Sequence, residues 1–319
     1  MRITGPFDHK NLAVFFLHDE SRGGAVPLTL QEALMKGDFR IEETGNIHEL
    51  NIENRGDTDV FIQAGDIVKG GRQDRVLGVS MLVPARSGVI PIASFCVESG
   101  RWGRRGFEDQ MHFSSSDHSY SSPRAKMALR RSAESYSSTA RRYASMAYSR
   151  LQSDVWDEVG KTQSRLMQAA GPSARAAASP TSLDLSMRQA EVHAARAEYL
   201  ARLENAAETD PSITGALFAV NGEVRNADAY PWTGLFWKMW GKNLNAGVTE
   251  ALGAHDAEPA GLLSPQAAEA FLRQAEAGKE SEHELPAGAR LRQRLSDRLA
   301  FLESLKSDGD WVHRSYVAS

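Results

Sequence analysis

The chain has 319 residues, of which 41% are hydrophobic and 24% are charged, and its formal net charge is −4. This balance is typical of a globular protein with a substantial core, and the acidic total excludes a general attraction to nucleic acid or anionic membranes. A single cysteine, Cys96, excludes an internal disulfide framework and is typical of a reducing compartment. The first apolar run, 12–17, is too short for a signal peptide or a membrane span, so we expect a cytoplasmic protein without a membrane partner.

Short strand signals dominate the first third of the chain. Apolar runs and alternating stretches at hairpin-length spacing predict an antiparallel β-sandwich or a small barrel. The predicted strands cover 12–17, 39–42, 47–52, 60–62, 67–68, 76–83 and 89–97. Between the first two strands, Thr29 and Glu32 form a capping box that opens a short helix ending at Gly37.

The composition changes after Trp102. The serine-rich stretch 114–122 predicts a mobile polar loop, and a helix is predicted from Pro123 to about 159 with a continuation to 170. Small residues at 173–182 predict a linker, and a further helix is predicted at 183–207. The two long helices and their linker predict a helical-hairpin insertion at 123–209.

The last third of the chain mixes strands and helices. A buried strand at 213–220 is followed by Asn221-Gly222, which predicts a type I′ hairpin turn. An aromatic-rich helix at 234–252 is predicted to pack in the core, and Ser264-Pro265 opens a helix that ends at 278. An acidic linker at 280–286, a helix or strand pair at 291–306 and a final strand at 311–317 complete the prediction.

These elements define an α+β fold class. A β-rich part at 1–110, the helical hairpin at 123–209 and a C-terminal α/β part at 210–319 are predicted to form one composite domain around a shared core.

Two polar clusters follow predicted core strands. Consecutive glycine amides can form an anion-binding nest, an arginine fork can bind phosphate in a bidentate manner, and a tryptophan can stack on a base. The predicted ligand-binding residues are Gly70, Gly71, Arg72, Gln73, Arg75, Arg101 and Trp102, and the predicted catalytic carboxylates are Asp74 and Glu98. The alternative is a lattice of arginine and carboxylate groups that only holds the edge of the sheet together.

For the other reactive residues, the surrounding sequence indicates a functional role less clearly. Cys96 is either a thiolate nucleophile or a small buried side chain at the end of a strand. No histidines or cysteines in the sequence have the spacing that is typical of a metal site, so no metal is predicted. A metal site assembled in the folded protein from Asp66, Asp74, Glu98 and His313 is a weaker alternative. The sequence does not identify a cofactor. Asp228 is a further isolated acid at the expected rim of the sheet.

The segment after Pro123 is strongly basic. Its arginines could follow a nucleic-acid backbone or contact a partner protein, and a homo-oligomer is left open. The residues of this alternative are Arg124, Arg130, Arg131, Arg141 and Arg142. This interpretation describes a non-enzymatic scaffold.

The central motifs resemble those of a known family. A Gly65-Asp66 turn, the run GGRQDRVL at 70–77 and the run CVESGRW at 96–102 are similar to the ARPP-1 domain, which is named for its association with ADP-ribosylglycohydrolase and rhodanese-phosphatase proteins. Later segments at 215–228 and 235–252 extend the resemblance over most of the chain. The resemblance implies an ADP-ribose-like nucleotide as the ligand of the polar cleft, for binding or for processing, and implies no particular reaction.

Overall fold

The computed structural model describes residues 2–100, 113–120, 122–136, 144–177, 179–206, 210–254, 261 and 263–318. Arg101, Trp102, Arg141 and Arg142, which the sequence marks as candidate binding residues, lie outside these ranges.

The described chain is a mixture of strands and helices. The strands are β1 Arg2–His9, β2 Leu12–His18, β3 Leu28–Thr29, β4 Phe39–Glu43, β5 Glu49–Asn54, β6 Val60–Ile62, β7 Asp66–Gly70, β8 Arg75–Leu77, β9 Met81–Val83, β10 Gly88–Cys96, β11 Phe113–Ser119, β12 Ile213–Val220, β13 Glu223–Ala229, β14 Lys279–Glu284, β15 Arg290–Leu295, β16 Leu299–Leu305 and β17 Trp311–Ala318. The helices are α1 Leu30–Lys36, α2 Pro123–Arg130, α3 Ala144–Ala170, α4 Leu183–Met187, α5 Ala190–Leu203, α6 Thr233–Leu252 and α7 Pro265–Glu276.

The largest sheet joins the two ends of the chain. Its eight strands follow the order β1-β2-β12-β13-β17-β16-β15-β14, and every neighbouring pair is antiparallel. Because β2 pairs directly with β12, the N-terminal strands complete a sheet whose other members come from the last third of the chain.

Helices cover both faces of this sheet. On β2, Phe16 faces a core that includes Phe218 and the α6 residues Phe236 and Trp240, whereas Phe15 lies in the core beneath α7. Alternate side chains of a strand point to opposite faces, so residues 12–17 of β2 are all apolar because both faces are buried. The aromatic residues of α6 are core residues, as the sequence predicts.

Two smaller sheets carry the central motifs. A six-stranded sheet has the order β11-β7-β8-β10-β5-β4, and a three-stranded sheet has the order β3-β6-β9. Helix α1 begins with the predicted capping box, in which the amide of Thr29 donates to Glu32 Oε2 at 2.8 Å and the amide of Glu32 donates to Thr29 Oγ1 at 3.2 Å. It ends at Gly37, which has a φ of 79°.

The α+β class is confirmed, whereas the sandwich or barrel and the helical hairpin stay predictions. The predicted hairpin turn at Asn221-Gly222 is also confirmed, because both residues have positive φ, 53° and 76°. For the ambiguous stretch 291–306, the strand alternative is correct, since it forms β15 and β16.

Two loop and linker predictions are wrong. The serine-rich stretch forms β11, which pairs with β7, and the acidic stretch forms β14, where Glu282 meets Arg290 at 2.9 Å on β15. Backbone pairing with a neighbouring strand outweighs a low intrinsic strand preference. The small-residue stretch lies between α3 and α4, as the linker prediction requires, and its last residues pack against the sheet, as described below.

The predicted long helices are interrupted. Helix α2 ends at Arg130, and two residues later Ser132 donates its hydroxyl to the carbonyl oxygen of Gly78 at 2.9 Å. The helix predicted at 183–207 is divided into α4 and α5. In the part of the chain with assigned positions, no helix combines the length and the apolarity needed to cross a membrane.

Candidate functional site

Strands β8 and β10 bring the two predicted polar clusters together. Arg75 at the start of β8 pairs with Cys96 at the end of β10, so residues 72–75 and 96–98 meet at one edge of the six-stranded sheet. Asp74 and Glu98 are 1% and 0% exposed, and the carbonyl oxygen of Asp74 accepts from the amide of Val97 at 3.1 Å. The predicted convergence of the clusters therefore occurs.

Glu43 supplies the anion at this sheet edge. The amide of Arg72 donates to Glu43 Oε1 at 3.1 Å, and Arg75 donates from Nη2 to Glu43 Oε2 at 3.0 Å. Arg75 is fully buried and also donates to Cys96 Sγ at 3.2 Å and to the carbonyl oxygen of Ile47. A carboxylate of the protein thus lies where the sequence predicts a phosphate, which favours the lattice alternative for Arg75.

The segment 179–182 covers the two predicted catalytic acids. Ser179 donates its hydroxyl to Glu98 Oε1, and Ser182 donates to Asp74 Oδ2 at 3.4 Å. Thr181 adds a bond to the carbonyl oxygen of Ser99 at 2.6 Å. The stretch predicted as a linker therefore packs on the sheet edge. A ligand-binding role for the exposed Arg72, for the buried Gln73 and for Gly70 and Gly71 stays a prediction.

Cys96 is buried, at 2% exposure. Its backbone amide donates to Gln152 Oε1 and its carbonyl oxygen accepts from Gln152 Nε2, each at 2.9 Å. These bonds attach the end of β10 to α3, which matches the structural alternative for this residue.

An open cavity lies away from the two polar clusters, where α2, α3, α6 and β13 meet. It is a cavity of about 240 Å³, and we call it the arginine cavity. Its polar lining residues are Ser122, Arg124, Glu158, Arg165, Arg225 and Glu250. The side chains of Arg165 and Arg225 are 35% and 31% exposed, so the cavity is open to solvent.

The N-terminus of α2 forms one wall of the arginine cavity. Ser122 caps the helix by accepting from the amide of Ala125 at 3.1 Å, and its hydroxyl donates to Glu158 Oε1 at 3.3 Å. Pro123 then occupies the first helical position. The amides at the start of a helix and the helix dipole favour an anion, which adds to the positive charge of the arginines.

The two glutamates of the arginine cavity have different surroundings. Glu158 is 4% exposed and lies 3.9 Å from Arg165 Nη1 and 4.0 Å from Lys161 Nζ. Burial raises the pKa of the Glu250 carboxyl to about 6; the charge of Arg165 opposes this rise and the charge of Glu158 adds to it. Glu250 is therefore half protonated near pH 6, above the usual range of a glutamate.

A buried ion pair links α2 to the large sheet. Lys126 Nζ lies 2.6 Å and 2.8 Å from the two carboxylate oxygens of Asp228, and His313 Nε2 lies 3.2 Å from Asp228 Oδ1. Lys126 also donates to Ser315 Oγ at 3.1 Å. Burial alone would raise the pKa of Asp228, but the charges of Lys126 and His313 hold it well below its ordinary value.

The metal alternative from the sequence is not assembled. Asp66 accepts from Lys242 Nζ at 2.7 Å, whereas His313 faces Asp228. Across the described ranges, no group of three or more His, Cys, Asp or Glu side chains is arranged to hold a metal ion.

The described basic residues of the partner-binding alternative, Arg124, Arg130 and Arg131, make separate contacts. Arg130 donates to Gln293 Oε1 at 3.2 Å, Arg131 pairs with Asp154 at 3.1 Å, and Arg124 lies at the arginine cavity. Binding of nucleic acid or protein by these residues stays a prediction.

The geometry defines an α+β protein with an open, arginine-lined cavity. The chain belongs to the ARPP-1 family, described as the ARG and Rhodanese-Phosphatase-superfamily-associated Protein domain, whose family model matches residues 1–317. The family's name records its association with ADP-ribosylglycohydrolase and rhodanese-phosphatase proteins. No curated protein and no solved structure matches the chain.

Sequence analysis missed most of the arginine cavity. Of its charged residues, only Arg124 was a candidate, and then for nucleic acid. Glu158 and Arg165 lie on α3, whereas Arg225 is on β13 and Glu250 is on α6, so the set forms no local motif. The raised pKa of Glu250 depends on burial and on neighbours distant in sequence, so no sequence signal marks it.

Proposed function

We propose that the protein binds a phosphorylated, ribose-containing ligand of the ADP-ribose type in the arginine cavity. The observation that carries the proposal is the convergence of Arg124, Arg165 and Arg225 on one open cavity of about 240 Å³. Guanidinium groups bind phosphate oxygens through paired, charge-assisted hydrogen bonds. Their positions on α2, α3 and β13 allow them to approach one phosphate group from several directions.

The glutamates favour a sugar phosphate over a simple anion. Glu158 and Glu250 line the same cavity as the arginines, and carboxylate oxygens accept hydrogen bonds from sugar hydroxyl groups. A ligand that carries both phosphate and hydroxyl groups complements this lining. The nucleotide part of the proposal is supported by the association recorded in the family's name.

Binding experiments on matched variants test this function. Calorimetric titration of the full chain with ADP-ribose, ribose 5-phosphate and inorganic phosphate gives the affinities. Arg165→Gln and Arg225→Gln should each weaken ADP-ribose binding by about tenfold or more, since a hydrogen bond to a charged group contributes about 1.5–3 kcal/mol. Arg131→Gln is the control, because Arg131 is exposed, pairs with Asp154 and is not among the residues lining the cavity.

The same titrations separate the two candidate locations. Arg72 is the exposed arginine of the strand-end cluster, so loss of affinity in Arg72→Gln with unchanged affinity in Arg165→Gln would move the ligand to that cluster. No binding of any of the three ligands by the parent protein would rule out the proposed function.

A further inference from the structure

The arginine cavity contains two carboxylates with complementary properties. Glu158 receives a hydrogen bond from Ser122 and lies 3.9 Å from Arg165 Nη1 and 4.0 Å from Lys161 Nζ. The carboxylate of Glu250 has no hydrogen bond or ion pair with any described residue, although it is partly buried on the last turns of α6. One acid therefore has a hydrogen-bond donor and positive groups beside it, whereas the other has no such partner among the described residues.

We propose that the arginine cavity is a hydrolytic site in which Glu250 donates a proton and Glu158 accepts one, so that water cleaves a glycosidic bond at the ribose of the bound ligand. The inference rests on the proposed function, because the arginines must first hold the phosphate of that ligand. Pairs of carboxylates with different environments perform this reaction in glycoside hydrolysis.

The reaction balances with water as the only co-reactant. The Glu250 carboxyl transfers its proton to the leaving oxygen, or to a basic ring nitrogen of a leaving purine, as the bond from the anomeric carbon to the leaving group breaks. A water oxygen forms the new bond to the anomeric carbon and gives its proton to the Glu158 carboxylate. The products are the free sugar phosphate and the protonated leaving group, and proton exchange with solvent restores both glutamates.

The cavity also explains why Glu250 suits the role of acid. The charged and titratable groups that face Glu250 or line the adjoining small cavity are Arg124, Glu158, Arg165 and Arg225 together with His118 and Tyr120. Burial raises the pKa of Glu250 to about 6, with the charge of Glu158 adding to the rise. The protonated fraction of Glu250 falls as the pH rises through about 6, so we expect the hydrolysis rate to decrease above that pH.

The experiment measures turnover and binding on the same full-length variants. Release of adenine from AMP and of ADP-ribose from an O-linked ADP-ribosyl-serine peptide is followed between pH 5 and 8. Glu250→Gln should lower kcat by about 10²–10³-fold with little change in KM, and it should abolish the fall in rate above pH 6, since removal of a general acid typically costs about 10²–10⁴-fold. Arg165→Gln should instead raise KM.

Glu269→Gln is the matched control, because Glu269 is exposed on α7 and pairs with Arg273. Its kcat and pH profile should equal those of the parent protein. If the parent binds these compounds with the expected arginine dependence but hydrolyses none of them, or if Glu250→Gln keeps the parent rate, the hydrolytic inference is wrong and the proposed binding function stands. If the parent binds none of them, both are wrong.

Discussion

At the scale of single residues, Gly71 determines how the end of β7 turns into β8. Its φ is 56°, and a Cβ atom at this position would lie 2.5 Å from Phe113 Cζ and 2.7 Å from Glu43 Oε1. The same Glu43 carboxylate holds the amide of Arg72 and the guanidinium of Arg75. A side chain at position 71 would therefore disturb the anion around which this sheet edge is built.

We expect Gly71→Ala to lower the free energy of unfolding by about 2–4 kcal/mol, the range of combined backbone strain and overpacking. Gly88→Ala is the matched control: Gly88 also has a positive φ, 66°, but no atom beyond its chain neighbours lies within 4 Å of the position that a Cβ would occupy. That control should cost about 1–2 kcal/mol from the left-handed backbone alone. Equal losses in the two variants, measured by urea unfolding, would show that the Glu43 contact has no role.

At the scale of elements, two strands were mistaken for a loop and a linker because their residues are mostly polar. Strand β11 and edge strand β14 consist mostly of serine or charged residues, which predict a loop and a linker. Their partners decide the outcome: β11 pairs with β7, and Glu280 and Glu282 on β14 meet Arg294 and Arg290 on β15 at 2.9 Å. Capping and turn residues act locally, and for this reason α1 and the β12–β13 hairpin were predicted correctly.

The segment 179–182 is the clearest case of a structural role that composition hides. Its hydroxyl groups reach the buried acids Glu98 and Asp74, so serine residues that predict only a linker also form hydrogen bonds to buried carboxylates. A sequence pattern does not show which distant carboxylate a serine will meet.

Replacement of Ser179 by alanine tests this role. The change removes a hydrogen bond to the fully buried carboxylate of Glu98, so we expect the free energy of unfolding to fall by about 1.5–3 kcal/mol. Ser153→Ala is the control, because Ser153 is exposed and bonds only to the carbonyl oxygen of Ser149 among the described residues, at 3.1 Å. Chemical denaturation curves that coincide for parent and Ser179→Ala would contradict the covering role.

At the scale of the whole molecule, the α+β class was predictable because apolar periodicity and capping signals identify most helices and strands. The direct pairing of β2 with β12 was not predictable, because it joins segments about two hundred residues apart. No local sequence pattern specifies which distant strand will be the partner. The arginine cavity is assembled in the same way from α2, α3, α6 and β13. Its charged residues could be recognised as a set only after the chain had folded.

The buried pair of Lys126 and Asp228 connects the helical region to the large sheet. Their side chains are 4% and 3% exposed, and Lys126 also reaches Ser315 on β17. We expect Lys126→Met and Asp228→Asn each to lower the free energy of unfolding by about 3–5 kcal/mol, because each leaves an opposite charge buried without its partner. The double variant should lose far less than the sum, since neither uncompensated charge remains.

A double-mutant cycle by urea unfolding at pH 7 measures the coupling between the two residues. We expect a coupling of about 2 kcal/mol or more for Lys126 and Asp228, and less than about 1 kcal/mol for Arg86→Met with Asp57→Asn, an ion pair whose partners are each 75% exposed. A Lys126–Asp228 coupling as small as that of the exposed pair would mean that packing alone, and not the buried charges, holds α2 against β13 and β17.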